Sequence, residues 1–472
     1  MDYKEALSYL YSLSDFERSG IYTRNREENL SRESRLLEAL GDPQRSYSCT
    51  LIAGTKGKGS TAAMIERVLR EAGWRTGLYT QPDLHTFRER IRVSGRLIGE
   101  EEFAELLPEI RAVVEEVERD PASVPYNTYQ VATSLAFLYF ARQHVQHAVL
   151  EVGLGGRLDA TNVTQPLVSV ITSISYDHMQ ILGNTLTEIA TEKAGIIKPN
   201  GVVVTSAQAP EALLAIAATC RKQHADLVRV AAIENDAAQA EVEAGQFPAP
   251  SYRYQLEQRT GEHQRFTIRT PERIYSGLEI PLAGQHQLEN ATAALATLDS
   301  LRKKGIKWDE EALREGLRLV HWPARIEVVG HDPTIVVDGA HNADSMQKLM
   351  QALRASFSLH RLIVVLSVNR DKDLVGIVRA LANVDIVILT QMKNPRGASI
   401  EEMQILFTLH APDVSVYTAG NSDSAIELAL DLAEGSDLIC ATGSLYVAAE
   451  ALQWAAARGD ETAREDIHGL DH

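Results

Sequence analysis

Cysteine is scarce in this chain. Only Cys49, Cys220 and Cys440 occur, far apart and without a CxxC pair. That excludes a disulfide framework and a cysteine zinc cluster, and it fits a reducing cytoplasm. Long apolar runs are also missing: the densest, Val131–Ala141, is broken by Thr133 and Ser134 and falls short of the roughly 18 residues of a membrane span. The first residues carry Asp2, Lys4, Glu5 and Asp15, so no secretory leader is expected there. Positive charge is in deficit, with 47 Lys+Arg against 64 Asp+Glu and a formal net charge of −17. This argues against broad nucleic-acid binding, although local basic clusters can still hold small anions. No fixed-period repeat or low-complexity tract is present. What remains is a chain of 472 residues, 44% apolar and 24% charged, expected to be soluble and to divide into two or three domains at about 150 residues each.

Short Val/Ile/Leu-rich runs alternate with amphipathic stretches, the pattern of a parallel sheet with crossover helices. The first half offers strands at Ser48–Ala53, Thr76–Thr80, His147–Val152, Leu167–Ile174 and Val202–Thr205. Between the first two, Met64, Ile65, Val68, Leu69 and Ala72 recur at helical spacing, with Gly73 as the stop. Near residue 250 the texture changes. Tyr252, Tyr254, Leu256, Phe266 and Ile268 alternate around Thr260-Gly261 and predict a hairpin at a sheet edge. The βα alternation restarts after Ile326, with strands at Thr334–Val337, Leu362–Ser367, Asp385–Thr390, Val414–Tyr417 and Leu438–Ala441. Five such units make a domain of their own, which places a boundary near His321-Trp322-Pro323 and predicts domains 1–320 and 321–472.

The first predicted strand runs into Gly54-Thr55-Lys56-Gly57-Lys58-Gly59-Ser60-Thr61, and the helix follows directly. A phosphate cradle requires this context: glycines let backbone N–H groups converge on an anion, and the helix N-terminus adds positive potential. Lys58 is placed to meet β- and γ-phosphates. The strict GxxxxGK[ST] pattern is not met, because Ile52 stands five residues before Gly57 and Gly59 follows the lysine. A turn without a ligand is the alternative reading, and two lysines in a strand-to-helix turn count against it.

Downstream, Glu151 ends its strand. Gly153-x-Gly155 lacks the third glycine of a dinucleotide fingerprint, since Leu158 stands there. A glutamate in this position suits a hard oxygen ligand for Mg²⁺. Taken singly, His178 reads as a structural histidine and Lys193 as a surface lysine.

The variant GTxGKGS resembles the Mur-ligase superfamily, in particular its folate branch of dihydrofolate and folylpolyglutamate synthases. Ser175–Gly183 and Glu192–Lys198 look like signatures of the same ligases, in the same order and at matching spacing. The resemblance covers almost the whole chain. It implies an α/β fold: a P-loop doubly wound sheet domain of the Mur-ligase central type, then a smaller Rossmann-like α/β C-terminal domain. It also implies that Glu151 and His178 bind one Mg²⁺, and that Lys193 is carbamylated and binds a second.

The stretch Gln81-Pro82-Asp83-Leu84-His85-Thr86-Phe87-Arg88-Glu89-Arg90-Ile91 is similar to the family's mobile SPHL…ERI loop, which closes over the pterin. Gln81 replaces the serine that reaches Mg²⁺ and Asp83 replaces the histidine, so either could ligate the metal. Arg90 is implied in steering an anionic folate tail, although Arg88, Arg90 and Arg92 also read as a solvated strand face. Pro82, Asp83, Asp159 and Ala160 are the implied substrate contacts. Tyr129 and Gln130 stand where many bacterial members carry a Phe-Glu pair.

Gly284–Ala291 resembles the adenine-contacting element, with Asn290 reading the base edge, and it also reads as a helix start. Trp322-Pro323-Ala324-Arg325 resembles the WPGR linker, so Arg325 is implied to reach the ATP phosphates from the second domain. Ala324 replaces the glycine, making positive φ less accessible and the linker stiffer. By the same resemblance Asp338 holds the ATP ribose and His341 places the incoming glutamate. Ser444 either donates to a carboxylate or simply caps the last helix.

The implied activity is ATP- and Mg²⁺-dependent ligation of L-glutamate to dihydropteroate or a folate, in a cytoplasmic monomer that binds neither nucleic acid nor membrane. Arg157-Leu158-Asp159-Ala160-Thr161-Asn162 looks like the bifunctional bacterial enzymes, whereas Lys56 looks like plant-type folylpolyglutamate synthases. Two other readings compete. A peptidoglycan Mur ligase needs a UDP-sugar domain of about 100 residues, more than precedes Ser48. A nucleotide-regulated binding protein is favoured by Gln81, Asp83 and Ala324, and opposed by the set Lys58, Glu151, His178, Lys193, Arg325 and Asp338.

Overall fold

The computed structural model describes residues 1–14, 26–119, 124–233 and 247–460, so Asp15 lies outside the described residues. Two sheets organise the chain. The first contains β1 (Ser48–Ala53), β2 (Thr76–Tyr79), β3 (Ile91–Val93), β4 (Arg96–Leu97), β5 (His147–Glu151), β6 (Val168–Ile171), β7 (Val202–Thr205), β8 (Asp226–Ala232), β9 (Tyr252–Arg259), β10 (Gln264–Arg269) and β11 (Ile274–Ile280). Their order is β11-β10-β9-β8-β7-β6-β1-β5-β2-β3-β4. The pairs β1–β5, β1–β6 and β2–β5 are parallel, so the carboxyl ends of β1, β5 and β6 open on one side. The second sheet contains β12 (Glu327–His331), β13 (Thr334–Val337), β14 (Leu362–Leu366), β15 (Ile386–Thr390), β16 (Ser415–Ala419) and β17 (Leu438–Thr442), ordered β12-β13-β17-β14-β15-β16.

Period-two alternation sorts the strand residues between two cores. Leu51, Ala53 and Leu150 face the helix Thr128–Arg142, where they pack with Val131, Leu135 and Leu138. Ile52, Val149 and Val170 face the helices Lys58–Glu71 and Gln285–Lys303, against Met64, Val68, Leu295 and Leu298. Each leucine so buried contributes roughly 1.5–3 kcal/mol. In the second sheet Val336, Val364 and Val387 belong to one core, and Val337, Ile363 and Ile388 to the other.

The predicted helix after the phosphate turn ends at Glu71, with Gly73 at φ 84° just past its cap, as the sequence implied. The hairpin around Thr260-Gly261 is present at a sheet edge, with β11 added outside it. The strand expected to run to Ile174 stops at Ile171, because Thr172 and Ser173 turn toward the phosphate loop: Thr172 donates to the Ala53 carbonyl at 3.2 Å, and Ser173 to that of Lys56 at 3.1 Å. β12 was not foreseen, and its antiparallel pairing with β13 makes the second sheet mixed. Among the described residues no helix is long and apolar enough to cross a membrane.

Candidate active site

β1 delivers the chain to Gly54 and Gly57, whose φ values of 148° and 89° are reached most easily by glycine. Crowding also demands it, since a Cβ at Gly54 would strike the Thr172 hydroxyl and one at Gly57 the Asn290 amide. Gly57 caps the helix Lys58–Glu71, directing that helix's first N–H groups at the cleft. Thr55 Oγ1 accepts from the Ser175 N–H at 3.1 Å, tying the turn to the segment that follows β6. Ser60 is buried, and Thr61 Oγ1 is buried without a partner among the described residues.

Lys58 Nζ lies 3.7 Å from Glu151 Oε1, and the Gln81 backbone N–H donates to Glu151 Oε2 at 3.2 Å. Burial pushes the Glu151 carboxyl above its usual range, and the Lys58 charge opposes this. Lys193 is no surface lysine. It is 5% exposed, its Nζ donates to the Gly54 carbonyl at 2.8 Å, and burial followed by the nearby Lys58 charge pushes its amine down to about 7. His178 sits at φ 49° with its side chain about half exposed; burial of its ring and the Lys372, Lys193 and Lys58 charges hold its pKa low against Asp177. Lys58 therefore acts electrostatically on Glu151, His178 and Lys193 at once. Lys56 is ion-paired with Asp177 at 3.2 Å, and despite burial that contact holds Asp177 far below the carboxylate range.

The donors suit Mg²⁺ of a particular kind. Among the described residues, no three of His, Cys, Asp and Glu gather as a metal cage, so Glu151 and His178 do not form a ready-made site. A buried Gln81 Oε1, without a partner among the described residues, stands on the residue whose backbone holds Glu151. Such oxygens fit an ion that keeps most of its ligands as water and nucleotide phosphate.

Several expected roles change. Asp83 does not offer itself to a metal: its carboxylate is 2.5 Å from Arg90 Nε. Arg90 stacks over Phe87 as well, so its charge serves the loop before any folate tail. Glu89, not anticipated, organises that loop by accepting from the N–H groups of Leu84, His85 and Thr86 at 2.7, 2.8 and 2.8 Å. The loop crosses the cleft. Pro82 is exposed, Leu84 packs against the second domain's apolar core, and His85 Nδ1 is 3.2 Å from Gln453 Nε2.

Asp159 is 5% exposed and already accepts from Tyr129 Oη, the Thr161 N–H and hydroxyl, and the Gly153 and Leu154 N–H groups. It shapes the loop that carries buried Ala160. Asn290 is buried against Gly57 and donates to Gln287 Oε1 at 3.0 Å. Gln130 caps its own helix with Asn127 and donates to the Asn29 carbonyl at 3.2 Å.

From the second domain, Asp338 accepts from the Ile326 and Ala340 N–H groups at 3.0 and 2.8 Å, clamping the linker. Arg325 Nη1 donates to the Ala324 carbonyl at 2.8 Å, and its charge reaches Glu151, Lys56 and Asp338. Ala324 adopts φ 54° without being glycine, so the lost glycine leaves strain rather than a different path. His341 Nδ1 is 2.8 Å from the Gly339 carbonyl and acts as donor there; burial pushes the ring down to about 3, leaving it neutral with Nε2 as acceptor. Ser444 is buried and accepts from the Val447 N–H at 3.2 Å, the helix-cap alternative. Asp177, Glu89 and Tyr129 were missed as site builders. Asp177 lay inside the quoted Ser175–Gly183 stretch, but its adjacency to Lys56 is invisible in one dimension.

Two family models match this chain. The Mur ligase middle domain covers residues 52–298, and the Mur ligase glutamate ligase domain covers 324–445. The dihydrofolate synthase/folylpolyglutamate synthase of Bacillus subtilis is 35% identical over 424 residues, spanning 88% of this chain and 92% of the relative. The structure of Mycobacterium tuberculosis folylpolyglutamate synthase complexed with ADP aligns with a TM-score of 0.84 at 32% identity, covering 96% of this chain and 99% of that one. E. coli FolC in complex with DHPP and ADP aligns with a TM-score of 0.81 at 27% identity, covering 97% and 98%. A phosphate loop opposed across a cleft by a Rossmann-like domain defines a two-domain Mur-type ligase. Within that class, the chain belongs to the dihydrofolate synthase/folylpolyglutamate synthase family.

Proposed function

We propose that this enzyme uses ATP to join L-glutamate to the carboxylate of dihydropteroate, a reduced folate, or both, through an acyl phosphate. The observation that carries the reading is the meeting of Lys58, Glu151 and Lys193 at one phosphate loop. In this reading the loop N–H groups and Lys58 stabilise charge on the γ-phosphoryl group as the substrate carboxylate attacks it. Arg325 adds charge from the opposite side once the domains, taken as 1–320 and 321–472, close. Asn290 and Asp338 are assigned to the adenine and ribose of ATP. His341, neutral, accepts a hydrogen bond from the amine of glutamate, which then displaces phosphate; the Ser444 hydroxyl proton, which capping does not use, is assigned to the glutamate carboxylate. Closure keeps water from the acyl phosphate.

Glu151, Gln81 and His178 are the residues assigned to Mg²⁺, which when bound neutralises phosphate charge. Lys193 has a neutral fraction at pH 7, as reaction of its amine with CO₂ requires, and its carbamate would supply a further anionic ligand. The buried, unpaired Cys49, Cys220 and Cys440 accord with a cytoplasmic enzyme; we assign it as a monomer.

Mass spectrometry of folates after incubation with ATP, Mg²⁺ and glutamate tests this. Added glutamyl units are expected, and none with any pterin would refute the activity. Phosphate release with dihydropteroate distinguishes a bifunctional enzyme from one confined to folate tails. Bifunctionality is supported by the Arg157–Asn162 stretch, where Arg157 is anchored to Glu27 and Glu192, both at 3.0 Å.

A further inference from the structure

Gln81 spans two parts of the site. Its backbone N–H holds Glu151, its Nε2 lies 3.4 Å from Tyr129 Oη, and its Oε1 is buried without a partner among the described residues. An amide has a donor end and an acceptor end of nearly equal shape, so something must decide which end faces which way. Tyr129 decides it. Asp159 already receives four N–H and O–H donors, which favour its ionised form against the upward push of burial, and Tyr129 donates its single proton to Asp159 Oδ1 at 2.9 Å. Tyr129 Oη is then an acceptor toward every other neighbour, taking the Gly153 N–H at 3.1 Å and the Gln81 amide. A flipped Gln81 would set Oε1 against those lone pairs and turn the NH₂ away from Tyr129.

The contact is tightly packed. A Cβ at Gly153 would stand 2.7 Å from Gln81 Nε2 and 2.8 Å from Tyr129 Cζ, so both side chains use the space the glycine leaves.

We infer that Tyr129 is a positioning residue: by accepting from Gln81 Nε2 it presents Gln81 Oε1 as a hard oxygen donor to the divalent cation accompanying the nucleotide beside Glu151. This rests on the metal assignment proposed above. The chain Asp159–Tyr129–Gln81 thereby joins the loop around Ala160 to the metal locus.

The test is a double-mutant cycle read by electron paramagnetic resonance of Mn²⁺ binding to the full-length protein with a non-hydrolysable ATP analogue. Tyr129→Phe removes the hydroxyl that accepts from Gln81, along with its donation to Asp159. It is expected to weaken Mn²⁺ about tenfold, the size of an outer-shell effect; a second background separates the loss at Gln81 from the loss at Asp159. In the Gln81→Ser background, where no amide needs orienting, the same substitution is expected to change nothing. An equal loss in both backgrounds, or no loss in the Gln81 protein, overturns the inference and leaves the ligase reading standing. Absence of nucleotide-dependent Mn²⁺ binding by the unmutated protein overturns the inference together with the metal assignment.

Discussion

The indole of Trp322 lies against Gly59, so close that a Cβ there would stand 2.7 Å from ring atom Cζ2. The residue after the phosphate-loop lysine thus touches the segment joining the two sheets. Gly59, which broke the expected GK[ST] pattern, is small because the linker occupies the space.

Gly59→Ala is therefore expected to push either the loop or the linker out of place. Displacements of about 1 Å at reacting groups cost roughly a hundredfold in rate, so a fall of that order in kcat/KM for ATP is expected, with folding intact by circular dichroism. Trp322→Leu combined with Gly59→Ala should recover much of it. Steady-state phosphate release measures both; full activity of the single variant would show that the loop is not held by Trp322.

Lys58 and Glu151 carry the second prediction. Lys58→Met removes the cation from a 5% exposed carboxylate side chain, which must then take up a proton or remain buried uncompensated. A loss of up to about 3 kcal/mol in denaturant unfolding is expected, along with a fall of about 10²–10³ in turnover. Adding Glu151→Gln should restore most of the stability and none of the activity. Were stability and turnover to recover together, the pair would be structural.

The strained linker gives the third. Ala324 at φ 54° bears roughly 1–2 kcal/mol that glycine would not, offset by about 0.4–1 kcal/mol of extra unfolded-state entropy. Ala324→Gly should therefore stabilise the protein by about 0.5–1 kcal/mol. A destabilised variant would mean that the strain is offset by the hydrogen bonds of residue 324, whose N–H donates to Glu327 Oε2 and whose carbonyl accepts from the Gly339 N–H.

What could be read in advance divides along physical lines. The phosphate loop was legible because strand, glycines, lysines and helix are contiguous, and β1 and β7 were read to the residue because they are short β-formers buried on both faces with few polar interruptions. β11 was missed because Gly277, at φ 63°, interrupts its alternation, and β12 because its polar ends hide an edge strand. The partners of charges were the least legible feature. Asp83 was weighed as a metal ligand, but Arg90 lies close enough to take it once the short helix Phe87–Arg90 folds the loop back. Tyr129 showed only as a departure from a pattern; its effect depends on Asp159 and Gln81, distant in sequence.

His147 provides a pH test independent of the ligase reading. It is fully buried in β5, with Nδ1 2.8 Å from Ser48 Oγ and Nε2 3.0 Å from Thr50 Oγ1. Ser48 donates its proton to the Gln146 carbonyl, so Nδ1–H donates to Ser48 and Nε2 accepts from Thr50. Neither hydroxyl compensates a charge, and burial pushes the ring down to about 3. An unfolded histidine titrates near 6.5, so the folded state binds fewer protons between those values. The contribution is therefore complete above about pH 6.5 and lost as pH falls toward 3. At pH 5 the loss should be about 2 kcal/mol, at 1.36 kcal/mol per unit. Denaturant unfolding from pH 7.5 to 5 should show this slope in the unmutated protein. The slope should be shallower by that amount in His147→Gln, whatever the variant's absolute stability. Parallel profiles would mean that His147 keeps its ordinary pKa inside the sheet.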